Sequence, residues 1–92
     1  MAIKGEQASI VALQAMTFLA SDDVLLGEFL TQSGASSDDL GTMLQERWFL
    51  ASLLGFLLES DVRVIDFCNV YTLKPQDLHR HYYALAGEYV GS

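Results

Sequence analysis

The chain has few of the residues that build covalent or metal-bound structure. Its 92 residues include one cysteine, Cys68, and one proline, Pro75. A single cysteine excludes a disulfide within the chain and a thiolate metal cluster, and it favours a reducing compartment, so we expect a cytoplasmic protein. The histidines, His79 and His81, lie two positions apart in a helical segment and point in different directions, which argues against a shared metal ion.

Basic residues are also scarce. Residues 5–46 contain no lysine or arginine, and the formal net charge of the chain is −7. Such a surface repels phosphate backbones, so we expect no nucleic-acid partner and a preference for a basic protein partner. A structural role competes with this interpretation, because Asp22, Asp23, Asp38 and Asp39 fall at predicted helix starts, where the helix dipole favours acidic side chains.

No apolar run is long enough to cross a bilayer. The longest spans residues 48–58, whereas a transmembrane helix needs about 20 residues, so no membrane partner is expected. Lys4 ahead of the apolar residues 8–20 is only faintly typical of a signal peptide, since polar residues interrupt that segment. The chain is nevertheless 51% hydrophobic, which predicts either a rich helical core or burial against a partner or a second copy.

The chain contains an internal similarity. A shift of 38 residues aligns positions 18–40 with 56–78 without a gap, and seven of the 23 pairs are identical. Periods of this length are typical of helical repeat units. We therefore predict one domain, residues 1–92, built from two related helical units at about 6–45 and about 46–90.

Each unit is predicted to hold three helices, which makes the fold all-α, a compact bundle of about six short helices. The first helices are predicted at about 6–20 and about 46–58, the second after Ser21-Asp22 and Ser60-Asp61, and the third from residues 36 and 74. The 48–58 segment is apolar almost all round, which predicts a central, buried helix. For the first helix, Leu13, Met16 and Ala20 are predicted to face inward, and Val11 and Phe18 widen this face.

In the second helices, the spacing i, i+3, i+4, i+7 predicts one buried face in each copy. These positions are Leu26, Phe29, Leu30 and Ser33, and Val64, Phe67, Cys68 and Tyr71.

Several stretches resemble a known family. They are ALQAMTFLASDDVLLGEFLTQSG, DDL, FLASLLGFLLESD and PQDL, and together they cover about residues 8–85. The pattern resembles the short bacterial, chiefly alphaproteobacterial, proteins grouped as domain of unknown function three-five-seven-two. Arg47-Trp48 stands where that family has a proline-glycine pair. The resemblance implies a shared fold and a bacterial cytoplasmic origin, and it implies no activity, cofactor or site.

Signatures of catalysis are weak. The chain has no phosphate-binding loop, dinucleotide fingerprint or calcium loop. Cys68 lies on a predicted core face, where a thiolate is disfavoured. An enzyme would need Cys68, His79 and His81 to come close together, so we predict a non-catalytic protein without cofactor or metal.

The last helix offers candidate partner-binding residues. One stripe is sufficient to dock the helix; it consists of Leu78, Tyr82, Leu85 and Tyr89. A second stripe beside it contains His79, Tyr83, Ala86 and Val90. Because aromatic and arginine residues are enriched at interface hot spots, His79 and Tyr83, together with Trp48, are the predicted partner-binding residues. The alternative is that both stripes are core, or that Tyr83 merely covers the rim of the core.

The function favoured by these observations is a protein-interaction or regulatory module that binds another protein or itself. The alternative is a small-molecule or lipid binder with a pocket between the two units, near Trp48, Phe56 and Phe67. A helix-turn-helix around Lys74-Pro75 is geometrically allowed, but the acidic charge argues against it.

Overall fold

Six α-helices account for most of the chain. The computed structural model describes the backbone of residues 3–90 and the side chains of residues 7–87, and this part contains no β-strand. The helices are α1 (Ile3–Ala20), α2 (Asp23–Ser33), α3 (Leu40–Met43), α4 (Arg47–Leu58), α5 (Asp61–Tyr71) and α6 (Pro75–Val90), with a 3-10 turn at Ser37–Asp39 ahead of α3. The predicted all-α bundle of about six short helices is confirmed.

Local capping chemistry explains where the helices start. The Asp22 carboxylate accepts two backbone N–H groups of the first turn of α2, at 3.0 and 3.2 Å. The Ser60 hydroxyl accepts the backbone N–H of Arg63 at 3.4 Å. Pro75 opens α6, a position where its missing N–H has no helical partner to lose. The predicted starts of these three helices are confirmed.

Left-handed residues end α2 and α5. Gly34 has φ 77° and Thr72 has φ 56°, and the backbone N–H of each donates to a carbonyl in the last turn of its helix. Glycine takes this conformation freely, so Gly34 is a common kind of helix end. Thr72 lies 38 positions later and was not predicted, because a β-branched residue rarely adopts positive φ.

Helix α4 is the centre of the core. It packs against α1, α2, α5 and α6, as predicted from its apolar circumference. Its buried residues are Phe49, Leu50, Ala51, Leu53, Leu54, Phe56 and Leu57. Phe29 of α2 joins them by edge-to-face contacts with Phe49 and Phe56, at centroid distances of 5.5 and 5.4 Å.

The inward faces of α2 and α5 match the predicted pattern. Phe29, Val64, Phe67 and Cys68 are buried, and the remaining four positions are partly buried. On α6, Leu78 and Leu85 are buried and Tyr82 is partly buried, whereas Tyr89 and Val90 lie outside the described side chains.

The predicted face of α1 is only partly correct. Val11 is buried and Met16 and Phe18 are partly buried, but Leu13 and Ala20 are exposed. The buried residues are Ala8, Val11, Ala12, Ala15 and Leu19. Helix α1 is apolar around most of its circumference, so periodicity alone permits several faces. Packing selects the alanine-rich one, because small side chains let α4 and α6 approach closely.

The core joins the two predicted units. The contacts of α1 are most extensive with α6 and α4, both of which belong to the second predicted unit. The two-unit arrangement with its 38-residue offset stays a prediction.

No single helix among the described residues is both long and apolar enough to cross a bilayer. Gln7–Ala20 and Asp23–Ser33 meet the criterion only as a pair, with a bend of 119° between them.

Candidate functional site

An open groove of about 580 Å³ runs between α4 and α6. We call it the α4–α6 groove. It is lined by Gln32 of α2, by Trp48, Ala51, Ser52, Gly55, Phe56, Leu58 and Glu59 from α4 and its C-terminal end, and by His79, Tyr82 and Tyr83 of α6.

All three predicted partner-binding residues line this groove. Trp48 is 45% exposed and Tyr83 is 64% exposed, and His79 is also exposed. They come from helices at opposite ends of the second half of the chain, and the packing of α6 on α4 brings them together. The alternative that both stripes of α6 are core is therefore wrong for His79 and Tyr83, while their role in partner binding stays a prediction.

One face of α4 and its C-terminal end forms a side of the groove, with small residues at its centre. The spacing of this face is that of Trp48, Ser52, Gly55 and Glu59. From the rise of an α-helix, this face extends about 16 Å from Trp48 to Glu59. A Cβ atom at Gly55 would lie 3.2 Å from Cε1 of Tyr82, so the glycine permits the observed approach of the tyrosine ring.

Each exposed aromatic ring has an aromatic neighbour behind it. Trp48 makes an edge-to-face contact with buried Phe49 at 5.6 Å. Tyr83 makes a similar contact with Tyr82 at 5.4 Å. These contacts hold Trp48 and Tyr83 in place while leaving part of each ring open to a ligand.

The groove carries negative charge at one end. Glu59 is the carboxylate among its lining residues, which include no lysine or arginine. Its Oε2 accepts a hydrogen bond from Gln32 Nε2 at 2.7 Å, which links the end of α4 to α2.

Arg63 of α5 contacts several residues at this end of the groove. Its guanidinium lies 3.9 Å above the centroid of the Phe56 ring and donates to the Phe56 carbonyl oxygen at 2.8 Å. It also pairs with Glu28 at 3.2 Å, and Glu59 lies 3.8 Å away. Arg63 of α5 thus ties together α2, α4 and the carboxylate end of the groove.

A second cavity of about 600 Å³ lies on the other side of α6. It is lined by Gln7, Asp77, Arg80, His81, Tyr83 and Ala84. A hydrogen bond from Arg80 lowers the pKa of Asp77. Burial lowers the pKa of His81, against an opposing effect of Asp77. His81 therefore favours the neutral form.

Cys68, His79 and His81 do not line one common cavity. Burial raises the pKa of the Cys68 thiol, and nearby Asp77 raises it further, so the thiol stays protonated at neutral pH. His79 lines the groove, whereas His81 lines the second cavity. Among the residues that the structure describes, no three histidine, cysteine, aspartate or glutamate side chains are arranged to hold a metal ion.

A family comparison covers nearly the whole chain. The family described as "Protein of unknown function (DUF3572)" matches residues 5–88. The chain belongs to this family. The predicted resemblance is thereby confirmed, while the bacterial origin stays a prediction. No curated protein and no solved structure matches this DUF3572 chain.

One part of the pocket prediction is wrong. Phe67 does not reach the α4–α6 groove of this DUF3572 protein, because it is fully buried against Phe18 and Tyr71, at centroid distances of 5.4 and 4.9 Å. Only Trp48 and Phe56 of the three predicted pocket residues line the groove.

Sequence reasoning also missed several lining residues. The spacing 48, 52, 55, 59 was a signal for the α4 side, since it continues one helical face from the predicted Trp48 to Glu59. Nothing local pointed to Gln32, because its place at the groove depends on how α2 packs against α4.

Proposed function

We propose that this protein is a non-catalytic, cytoplasmic interaction module that binds a segment of a partner protein in the α4–α6 groove. The observation that carries the proposal is the convergence of exposed Trp48, His79 and Tyr83 on one groove. Exposed tryptophan and tyrosine side chains with rigid backing are favoured anchors of protein interfaces.

The dimensions of the groove support a peptide-like occupant. Its α4 side extends about 16 Å, which matches about three turns of a helix or about five residues of an extended chain. Its floor of Ala51, Ser52 and Gly55 leaves room for the side chains of such a segment.

Charge supports a basic partner. The chain carries a net charge of −7, and the lining residues contribute a carboxylate without a lysine or arginine. Electrostatic attraction to a basic segment would raise the association rate and would weaken at high salt.

The chemistry of the titratable groups supports a non-catalytic role. Cys68 is a protonated, buried thiol, and the two histidines line different cavities. Since Cys68 is the one cysteine of the chain and cannot form a disulfide within it, a reducing compartment is consistent with the proposal.

Site-specific photo-crosslinking tests the proposal. A benzophenone amino acid at position 83 is compared with the same amino acid at position 70, because Val70 is exposed on α5 and does not line the groove. In a lysate of the source cells, we expect a discrete adduct from position 83 and none from position 70. Mapping of the cross-linked peptide should identify a basic segment.

A second substitution controls for accidental capture. Trp48→Ala should abolish the adduct from position 83 while circular dichroism shows an unchanged helical fold. The proposal fails if both positions give the same adducts, if Trp48→Ala leaves the adduct intact, or if position 83 gives none.

A small-molecule or lipid binder is the second candidate. The groove volume of about 580 Å³ lies within the usual range for ligand pockets, about 300–1,000 Å³. A low-molecular-mass fraction of the lysate that raises the melting temperature of the wild-type protein, but not of Trp48→Ala, would favour this candidate.

A further inference from the structure

We infer that the bound segment is anchored by an arginine whose guanidinium stacks on the tyrosine rings of the α4–α6 groove and pairs with Glu59. This inference rests on the proposed function and specifies the chemistry of the partner. It is carried by the placement of Tyr82 over Gly55, one helical turn from Glu59, and by the exposed ring of Tyr83 next to Tyr82 in the same groove.

The relevant ring and carboxylate lie about one helical turn apart. Tyr82 packs over Gly55, with Cε1 3.2 Å from the position of a Cβ atom there. Gly55 and Glu59 are separated by four residues on the same face, so their side-chain positions are about 6 Å apart. A guanidinium is large enough to contact the tyrosine rings and the carboxylate at the same time.

Glu59 has hydrogen-bonding capacity to offer an arginine. Its Oε2 accepts from the neutral amide of Gln32, and its Oε1 lies 3.8 Å from Arg63. The closer partners of Arg63 are the Phe56 carbonyl oxygen and Glu28. An incoming guanidinium can therefore replace the neutral donor Gln32 with a charge-assisted bond, which is the stronger kind.

The molecule already contains a guanidinium in equivalent surroundings. Arg63 stacks on one aromatic ring, Phe56, with carboxylates at 3.2 and 3.8 Å. Phe56 itself is buried, so on the groove side the tyrosine rings of α6 would take the place of the Phe56 ring. Arginine is preferred to lysine here because its planar group both stacks on a ring and pairs with a carboxylate.

The charge of the chain complements this occupant. The net charge is −7, and the residues that line the groove contribute Glu59 and no basic side chain. No lysine or arginine lines the groove, and Arg63, 3.8 Å from Glu59, is paired more closely with Glu28. A carboxylate ligand would instead meet Glu59 directly.

The test uses N-acetyl-arginine methylamide and its citrulline counterpart as probes. Citrulline keeps the planar shape of arginine but has no charge, because a carbonyl oxygen replaces one of the two terminal nitrogens. Nuclear magnetic resonance titrations of the full chain follow the backbone amides, the Gln32 side-chain amide and the indole N–H of Trp48, the one tryptophan of the chain. We expect shifts at the Glu59 end of the groove and about threefold tighter binding of the arginine probe.

Two variants with the same change of charge sharpen the test. Glu59→Gln should reduce the preference for arginine over citrulline to about one, whereas Asp38→Asn, outside the groove, should leave the preference of about threefold intact. Equal binding of the two probes to the wild type, an unchanged preference in Glu59→Gln, or shifts confined to another surface would overturn the inference.

The outcomes separate this inference from the proposed function. If an N-acetyl-norleucine methylamide probe shifts the Trp48 signal as strongly as the arginine probe, and cross-linking at position 83 still maps a segment, the groove binds protein through an apolar anchor and the arginine inference fails. If the arginine preference is present but position 83 gives no adduct, the cation site stands and the protein-binding proposal fails.

Discussion

Gly55 sets how closely Tyr82 approaches α4 within the groove. Most glycines in helices cost stability relative to alanine, because they lose more backbone freedom on folding. At position 55 an added methyl group would meet the Tyr82 ring at 3.2 Å, whereas at Gly27 in α2 nothing lies within 4 Å. The two helical glycines therefore form a matched pair.

We expect Gly27→Ala to raise the free energy of unfolding by about 0.5–1 kcal/mol. Gly55→Ala should raise the free energy of unfolding less than Gly27→Ala does, by a difference of at least about 0.5 kcal/mol. The reason is that the tyrosine ring must shift to admit the methyl group. Urea denaturation measures both changes. Equal gains in the two variants would show that the ring moves freely and that Gly55 does not set the approach.

His81 couples the protonation of the second cavity to folding. Burial lowers its pKa, Asp77 acts in the opposite direction, and Arg80 lowers the pKa further. The unfolded chain therefore binds a proton at His81 more readily than the folded chain, so this residue contributes less stability as the pH falls below the ordinary histidine pKa.

We expect the wild-type protein to lose stability between about pH 7 and about pH 5.5 through this histidine. His81→Gln should lose less stability over the same interval. Denaturation curves at several pH values give the comparison, in which the carboxylates common to both proteins cancel. A His81→Gln profile parallel to that of the wild type would contradict the assignment.

At the scale of the elements, α2 and α5 both end at a residue with positive φ, a glycine after α2 and a threonine after α5. Gly34 adopts φ 77° and Thr72 adopts φ 56°. Positive φ brings Cβ close to the backbone in residues other than glycine, at a cost of about 1–2 kcal/mol. Thr72 is thus a strained helix end, and Gly34 is a relaxed one.

We expect Thr72→Gly to raise the free energy of unfolding by about 0.5–1 kcal/mol, since relief of the strain exceeds the added entropy of the unfolded chain. Gly34→Ala should lower it by about 1 kcal/mol. Thermal unfolding followed by circular dichroism measures both. A destabilising Thr72→Gly would mean that the threonine side chain contributes more than its backbone conformation costs.

At the scale of the whole molecule, Arg63 connects three helices at the carboxylate end of the groove. Its side chain is only 20% exposed and reaches α2 through Glu28 and α4 through the Phe56 carbonyl oxygen. Partly buried, charge-assisted contacts of this kind contribute more than surface ion pairs. Arg80, by contrast, is 79% exposed and pairs within its own helix with Asp77.

We expect Arg63→Lys to lower the free energy of unfolding by about 1–2 kcal/mol, because a lysine cannot stack on Phe56 and serve the same acceptors together. Arg80→Lys should change it by less than about 0.5 kcal/mol. Urea denaturation compares the two conservative variants. Equal effects would show that the links among α2, α4 and α5 contribute little.

The sequence by itself determined the number of helices and most of their ends. The caps at Asp22 and Ser60 and the proline at position 75 act within one helical turn. They depend only on neighbours in the chain, so they can be predicted without a structure. The central position of α4 could also be predicted, because a helix that is apolar all round is stable only when other helices cover it.

Only the tertiary structure decided which face of α1 is buried and which residues form the groove. An apolar circumference permits several rotations of α1, and close packing with α4 and α6 selects one of them. Likewise, His79 and Tyr83 were predicted from their helical stripe, and Trp48 was predicted from its residue type. Their meeting, the approach of Tyr82 to Gly55 and the reach of Arg63 depend on how helices cross, and side-chain packing between elements distant in the chain sets that geometry.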